Sequence, residues 1–321
     1  MLSSLLAAGF IVFVGLLSAG WIYEVRSRQR DAKRFPPPGQ LVDVGGRRLH
    51  LLLRGTGPTV VIEQGAGGPS LNWFPLLEQI AQFARVCLYD RAGSQWSDAV
   101  AGPRSLEDRV EDLHRLLTKA DIPGPYVFVA HSFGGFLARL FALKYPGSVA
   151  GLVLVDTPHE ESYYQRLVVS RYAKFKWVLR IMAVLARFGV PRLLNRLVGK
   201  PDPNVPPELS PQLNAAMVRR EYFAAASDDI ACLEREALGL AKTGALGTLG
   251  NLPVVVITHG KPFPGPFAVL EKFWREGQDK LAALSTNGRV VVAVNSNHMI
   301  HNDEPEVVVD AIRSVVEAVR K

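Results

Sequence analysis

Cysteine is nearly absent: 321 residues contain only Cys87 and Cys232. Two cysteines exclude a disulfide framework and a four-ligand zinc site. No Gly-X-Y period, low-complexity tract or internal repeat interrupts the chain. The hydrophobic share of 48% and charged share of 21% are those of a folded domain, so disorder and collagen-like structure are excluded as well. Charge of one sign is in short supply. There are 37 basic against 30 acidic residues, a net +7, which opens three classes of partner: nucleic acid, a membrane surface or acidic substrates.

Two stretches account for this balance. From Leu2 to Tyr23 no residue is charged. As a helix, 22 such residues span about 33 Å, against roughly 30 Å for a bilayer's hydrocarbon core. Trp21 and Tyr23 close the run at the depth that amphipathic rings favour, and Arg26, Arg28, Arg30, Lys33 and Arg34 follow. An uncleaved transmembrane anchor over 1–24 is expected. A signal peptide would place its basic region before the apolar one, although Ser18 and Gly20 supply small residues for a cleavage site. A buried core helix is the third reading. Basic residues stay on the cytoplasmic side, which puts the globular part there. Residues 25–40, basic and then proline-rich at Pro36-Pro37-Pro38-Gly39, read as a short stiff linker.

The second stretch runs from Glu161 to Lys200, where nine basic residues (Arg166, Arg171, Lys174, Lys176, Arg180, Arg187, Arg192, Arg196 and Lys200) face one acid. Interleaved are Phe175, Trp177, Val178, Ile181, Met182, Val184 and Leu185. This reads either as an interfacial element on anionic lipid, admitting an apolar substrate from the bilayer, or as a self-packed segment with a solvated basic face. No nucleic-acid recognition motif accompanies the charge. The segment 24–34 carries +3 and 161–200 carries +8, so the remainder is mildly acidic at −4.

Within 41–321, short apolar runs alternate with helix-length segments. Val42–Val44 and Leu49–Leu53 flank Gly45-Gly46 as a hairpin. Runs follow at 59–62, 85–89, 126–130, 151–155, 253–257 and 290–294. This rhythm predicts a mostly parallel sheet with helices on both faces. It lapses between about 159 and 250, in a helical stretch broken by a proline-rich turn at 201–207, and then resumes. An inserted helical cap is expected there.

Ala130-His131-Ser132-Phe133-Gly134-Gly135 lies between a strand and a helix, where a tight turn exposes Ser132 and demands small neighbours. Acyl chemistry at such a serine needs donors for the developing oxyanion. Phe133 N–H, at a helix N-terminus, is one, and Ala66 N–H, in Gln64-Gly65-Ala66-Gly67-Gly68, is the other. The serine also needs a base. Of seven histidines, His298 follows the last strand at the same sheet edge. His301 is second choice, since it enters the following helix. His50 falls in a strand, His114 on a helix, and His131 points away beside the nucleophile. The base in turn needs a carboxylate. Asp156 ends the strand after the nucleophile's helix, with Glu160 and Glu271 in reserve. The loop Thr258-His259-Gly260-Lys261-Pro262-Phe263-Pro264 contains no acid.

With EQGAGGPSLNW, Asp90-Arg91-Ala92-Gly93, AHSFGG, LVLVD and NHMIHNDEP in order, the chain resembles the α/β-hydrolase family from about Leu41 to Arg320. The resemblance implies an eight-stranded, mostly parallel sheet, a helical cap, no cofactor and a triad in the order Ser132, Asp156, His298. Many members carry the acid after the next-to-last strand, whereas here it follows an earlier one, as in some haloalkane dehalogenases. Serine at 132 separates the chain from dehalogenases and epoxide hydrolases, which use aspartate. The expected activity is hydrolysis of an ester, amide or lactone of a small or lipid-like substrate at a membrane. An acyltransferase of the same fold and a catalytically silent binding protein are the rivals.

Overall fold

A computed structural model describes residues 2–199 and 205–320. Lys200 and most of the proline-rich turn at 201–207 lie outside the described residues. In chain order, helix α1 (Leu2–Arg34) precedes strands β1 (Gln40–Asp43), β2 (Arg48–Arg54) and β3 (Thr59–Glu63). Next come α2 (Phe74–Ala81), β4 (Arg85–Tyr89), α3 (Leu106–Lys119), β5 (Tyr126–His131), α4 (Gly134–Lys144) and β6 (Val149–Val155). The inserted stretch holds α5 (Arg166–Leu185), α6 (Val190–Val198), α7 (Ser210–Met217) and α8 (Arg220–Thr243). The chain closes with β7 (Val254–His259), α9 (Glu271–Ala283), β8 (Gly288–Ala293), α10 (Ile300–Asp303) and α11 (Pro305–Val319).

The eight strands form one sheet in the order β1-β2-β4-β3-β5-β6-β7-β8. The β2 strand runs antiparallel to β1 and β4, and every other pair is parallel. At the hairpin, Gly45 and Gly46 take φ of 107° and 81°, and both amides donate to Asp43 Oδ1. The period of two in each central strand divides between the sheet's faces. Val61, Cys87, Phe128, Leu152, Leu154 and Val256 pack with α3 and α4. Their neighbours Val60, Val86, Val127, Val129, Val153 and Val255 pack with α2 and α11. Strands buried on both faces have to be apolar throughout, so they read as continuous runs.

One boundary differs from the sequence reading. The basic segment after Tyr23 is not a separate linker: α1 continues unbroken to Arg34, about 50 Å in all. Glu24 and Asp31, two turns apart, share one side of the helix, where both bind Arg192 of α6 at 2.8 Å. Arg28 adds a 3.0 Å bond to Glu221 of α8. Glycines close the seam. A Cβ on Gly20 would stand 2.6 Å from the Phe188 carbonyl oxygen, and one on Gly189 would stand 2.8 Å from the Tyr23 ring. The apolar residues of α1 stay exposed, and it is the one helix among the described residues long and apolar enough to cross a bilayer.

Candidate active site

Ser132 sits at the turn between β5 and α4 with φ at 50°, in the left-handed region. The small residues around it have a measurable cause. A Cβ on Gly134 would approach the Glu63 carbonyl oxygen to 2.6 Å, and one on Gly135 would meet the Thr157 side chain at 2.1 Å. The Ser132 amide donates to the Val155 carbonyl at 3.0 Å, and this holds the turn against β6.

His298 reaches the serine from the loop after β8: its Nε2 lies 3.0 Å from Ser132 Oγ and its Nδ1 lies 2.6 Å from Asp156 Oδ2. That loop is held in turn, with Asn295 N–H and the Ser296 hydroxyl both donating to Glu304 at 2.7 Å. Asp156, just past β6, has φ at 47° and is fully buried. Burial alone would raise its pKa, but the bonds from His259 and His298 outweigh it and hold the carboxyl below its usual range.

The structure therefore brings together the three residues singled out in sequence, and the other candidates have separate places. His301 is buried, stacked on Trp73 at 4.4 Å, and neither ring nitrogen has a polar partner among the described residues. His50 pairs with Asp90 at 2.9 Å in the interior. His114 stacks on Tyr145. His131 Nε2 meets the His298 carbonyl at 2.9 Å, so that nitrogen carries the proton, and burial with the neighbouring His298 pushes the ring's pKa down to about 3. Glu160 is occupied by Arg139 at 2.6 and 2.8 Å.

Glu271 leads to the residue that the sequence reading passed over, His259. Fully buried at the end of β7, it places Nδ1 2.8 Å from Asp156 and Nε2 3.2 Å from Glu271. Both ring nitrogens face carboxylates, an arrangement that favours the doubly protonated ring. Burial opposes that charge, but Asp156 and Glu271 outweigh it and raise the ring's pKa. Trp274 Nε1 also donates to Asp156, at 2.9 Å. The signal is present in the sequence: His259 closes β7, at the edge where many members of the family the chain resembles carry their acid.

A second buried network holds the loop opposite. Arg91 donates to the carbonyls of Gln64 and Gly65 at 2.7 and 2.5 Å and pairs with Glu63 at 2.6 Å and Asp229 at 2.9 Å. Asp229, from α8, also accepts from Gly67 N–H at 2.8 Å and Arg109 Nε at 3.0 Å. The guanidinium groups of Arg91 and Arg109 lie 5.2 and 5.6 Å from the Phe133 ring centroid. Burial would lower the pKa of Arg91, but Asp229 and Glu63 raise it, so it stays charged. Neither Ala66 N–H nor Phe133 N–H has a loop or side-chain acceptor among the described residues. Both residues line a cavity of about 650 Å³ together with Ser132 and His298. Its walls include Trp73, Tyr172, Phe175, Phe267 and Trp274, with Leu213 and Met217 of α7 above.

Comparison with known proteins agrees with this architecture. A family model described as alpha/beta hydrolase fold matches residues 58–200. Over 260 residues the chain is 27% identical to YqjL, an uncharacterized protein of Bacillus subtilis, an alignment covering 81% of this chain and 84% of that one. Among solved structures it is similar to a thermophilic esterase from Thermogutta terrifontis, with a TM-score of 0.62, 22% identity, and coverage of 88% and 99%. It is also similar to the epoxide hydrolase CorEH, with a TM-score of 0.68, 16% identity, and coverage of 87% and 98%. At those identities the structural likenesses speak for the fold alone, and a fold of this kind serves more than one chemistry. Sheet order, turn geometry and the family match agree that this chain has the α/β-hydrolase fold, with an apolar helix at its N-terminus.

Proposed function

We propose that this protein is a membrane-anchored serine hydrolase that cleaves carboxylic esters of apolar, lipid-like substrates. The observation that carries the reading is the hydrogen-bonded chain Ser132–His298–Asp156 opening onto an aromatic-lined cavity. His298 Nε2 takes the Ser132 proton as Oγ attacks the ester carbonyl. Asp156 fixes the tautomer of His298 and stabilises the imidazolium that forms. The amides of Ala66 and Phe133 donate to the oxyanion. His298 then returns its proton to the departing alcohol, and water, activated by the same ring, cleaves the acyl-enzyme.

His259 acts through Asp156 as a positioning residue. Its bond to Asp156 fixes the carboxylate that in turn orients the His298 ring. An apolar cavity of this size suits a hydrophobic acyl or alcohol chain better than a charged one. In this reading the apolar part of α1 spans the bilayer, and the basic residues after it favour the cytoplasmic side for the catalytic domain.

Activity-based labelling of the full chain in detergent tests the reading. A fluorophosphonate should label the wild type and not Ser132→Ala. The variant should lose at least about 10³-fold in kcat/KM on an aryl ester of medium chain length. A folded Ser132→Ala protein that turns over at the wild-type rate overturns it, and a transacylated product formed with an added alcohol reassigns the enzyme to acyl transfer.

A further inference from the structure

The apolar run of α1 has company on its side of the molecule. The inner face of α5 packs on α8 through Tyr172 and Leu179, which meet Ala226 and Ile230. Its outer face carries Trp177, Val178, Ile181 and Val184, each 54–58% exposed and spaced as one helical stripe. On α6, Leu193, Leu194, Leu197 and Val198 are 47–74% exposed and likewise share one face. Single exposed aliphatic residues need no explanation, but eight on two consecutive helices form a patch that water does not stabilise.

The position of the patch identifies what covers it. Between α5 and α6 lies the short turn Ala186–Phe188, and this is where Gly20 of α1 makes its close approach. The bilayer-length part of α1 thus leaves the domain from the seam between the two apolar stripes. Arg192, bonded to Glu24 and Asp31, fixes the helix there. Exposed Arg180, Arg187 and Arg196 border the stripes, and exposed Arg30, Lys33 and Arg34 end α1. Any leaflet that contains α1 meets this surface, and its basic border matches anionic headgroups.

We propose that the outer faces of α5 and α6 lie in the anionic leaflet that α1 enters, with the apolar stripes at the acyl boundary and the arginines among the headgroups. Phe175, on the same α5, is both 41% exposed and part of the cavity wall, so the surface gives lipid-borne substrate a route towards Ser132. This inference rests on α1 spanning the bilayer and is independent of the hydrolytic reading.

The test places single reporters on the full chain in vesicles of phosphatidylcholine and phosphatidylserine. Ile181→Cys on the stripe and Glu276→Cys on α9 are labelled with a bimane, since native Cys87 and Cys232 are buried. The proposal expects quenching at position 181, several-fold above that at 276, by lipids brominated along the acyl chain, and the reverse order with aqueous iodide. Replacing Arg180, Arg187 and Arg196 together by Gln should reduce the bromolipid signal at 181 several-fold. Equal iodide access at both positions overturns the proposal. Shielding from iodide without bromolipid quenching also overturns it, in favour of a second protein copy over the patch. Turnover of a water-soluble aryl ester, measured in the same vesicles, reports separately on the hydrolytic reading.

Discussion

Two buried polar networks flank Ser132, and they solve opposite problems. On one side, Ser132, His298, Asp156, His259 and Glu271 form a hydrogen-bonded chain along which the proposed reaction moves a proton. It is open to the cavity at its serine end, and each carboxylate is paired with a histidine. On the other side, Glu63, Arg91, Asp229 and Arg109 form a cluster whose cations are arginines, which keep their charge at any physiological pH. That cluster ties the Gln64–Gly68 loop to α8 of the cap and so fixes the amide of Ala66. Histidine is used where charge must change during turnover, and arginine where it must not.

That division orders the expected effects. Asp156→Asn supports the wrong tautomer of His298, so kcat should fall on the order of 10⁴-fold, and the melting temperature should fall too, because the buried His259 ring loses its carboxylate partner. A loss of folding instead would make Asp156 a structural residue first. Arg91→Met leaves Glu63 buried without a cation and Asp229 with Arg109 alone, which costs about 3–5 kcal/mol of stability by denaturant unfolding. Wild-type stability in that variant would show the cluster to be dispensable. His259→Gln is the mildest of the three. It removes the ring that holds Asp156 from behind, so the carboxylate orients His298 less well, and kcat should fall by less than in Asp156→Asn with KM nearly unchanged. An unchanged kcat would reduce His259 to packing.

Legibility in the sequence followed the same physics. Ser132 and His298 were readable because the strand–turn–helix junction admits only small neighbours and because the last strand ends at the same edge. Asp156 was readable by its place after β6, even though the loop after β7 was the more usual one. His259 was not, since its role depends on a carboxylate more than a hundred positions away. The Arg91–Asp229 pair was hidden for the same reason: α8 meets the loop after β3 only when the cap folds over the sheet. The linker expected over 25–40 became helix up to Arg34 because Arg192, far along the chain, supplies the partner for Glu24 and Asp31.

By itself, then, the sequence determined the parallel sheet, the position of the serine turn and the presence of a bilayer-length apolar segment. All three depend on local periodicity and on the size of adjacent residues, which a linear chain records directly. Only tertiary structure decided which histidine faces the serine and which stands behind Asp156, and which face of the basic, apolar cap turns outward beside α1. Those outcomes depend on long-range partners, and a side chain's protonation and exposure are set by what folding brings against it.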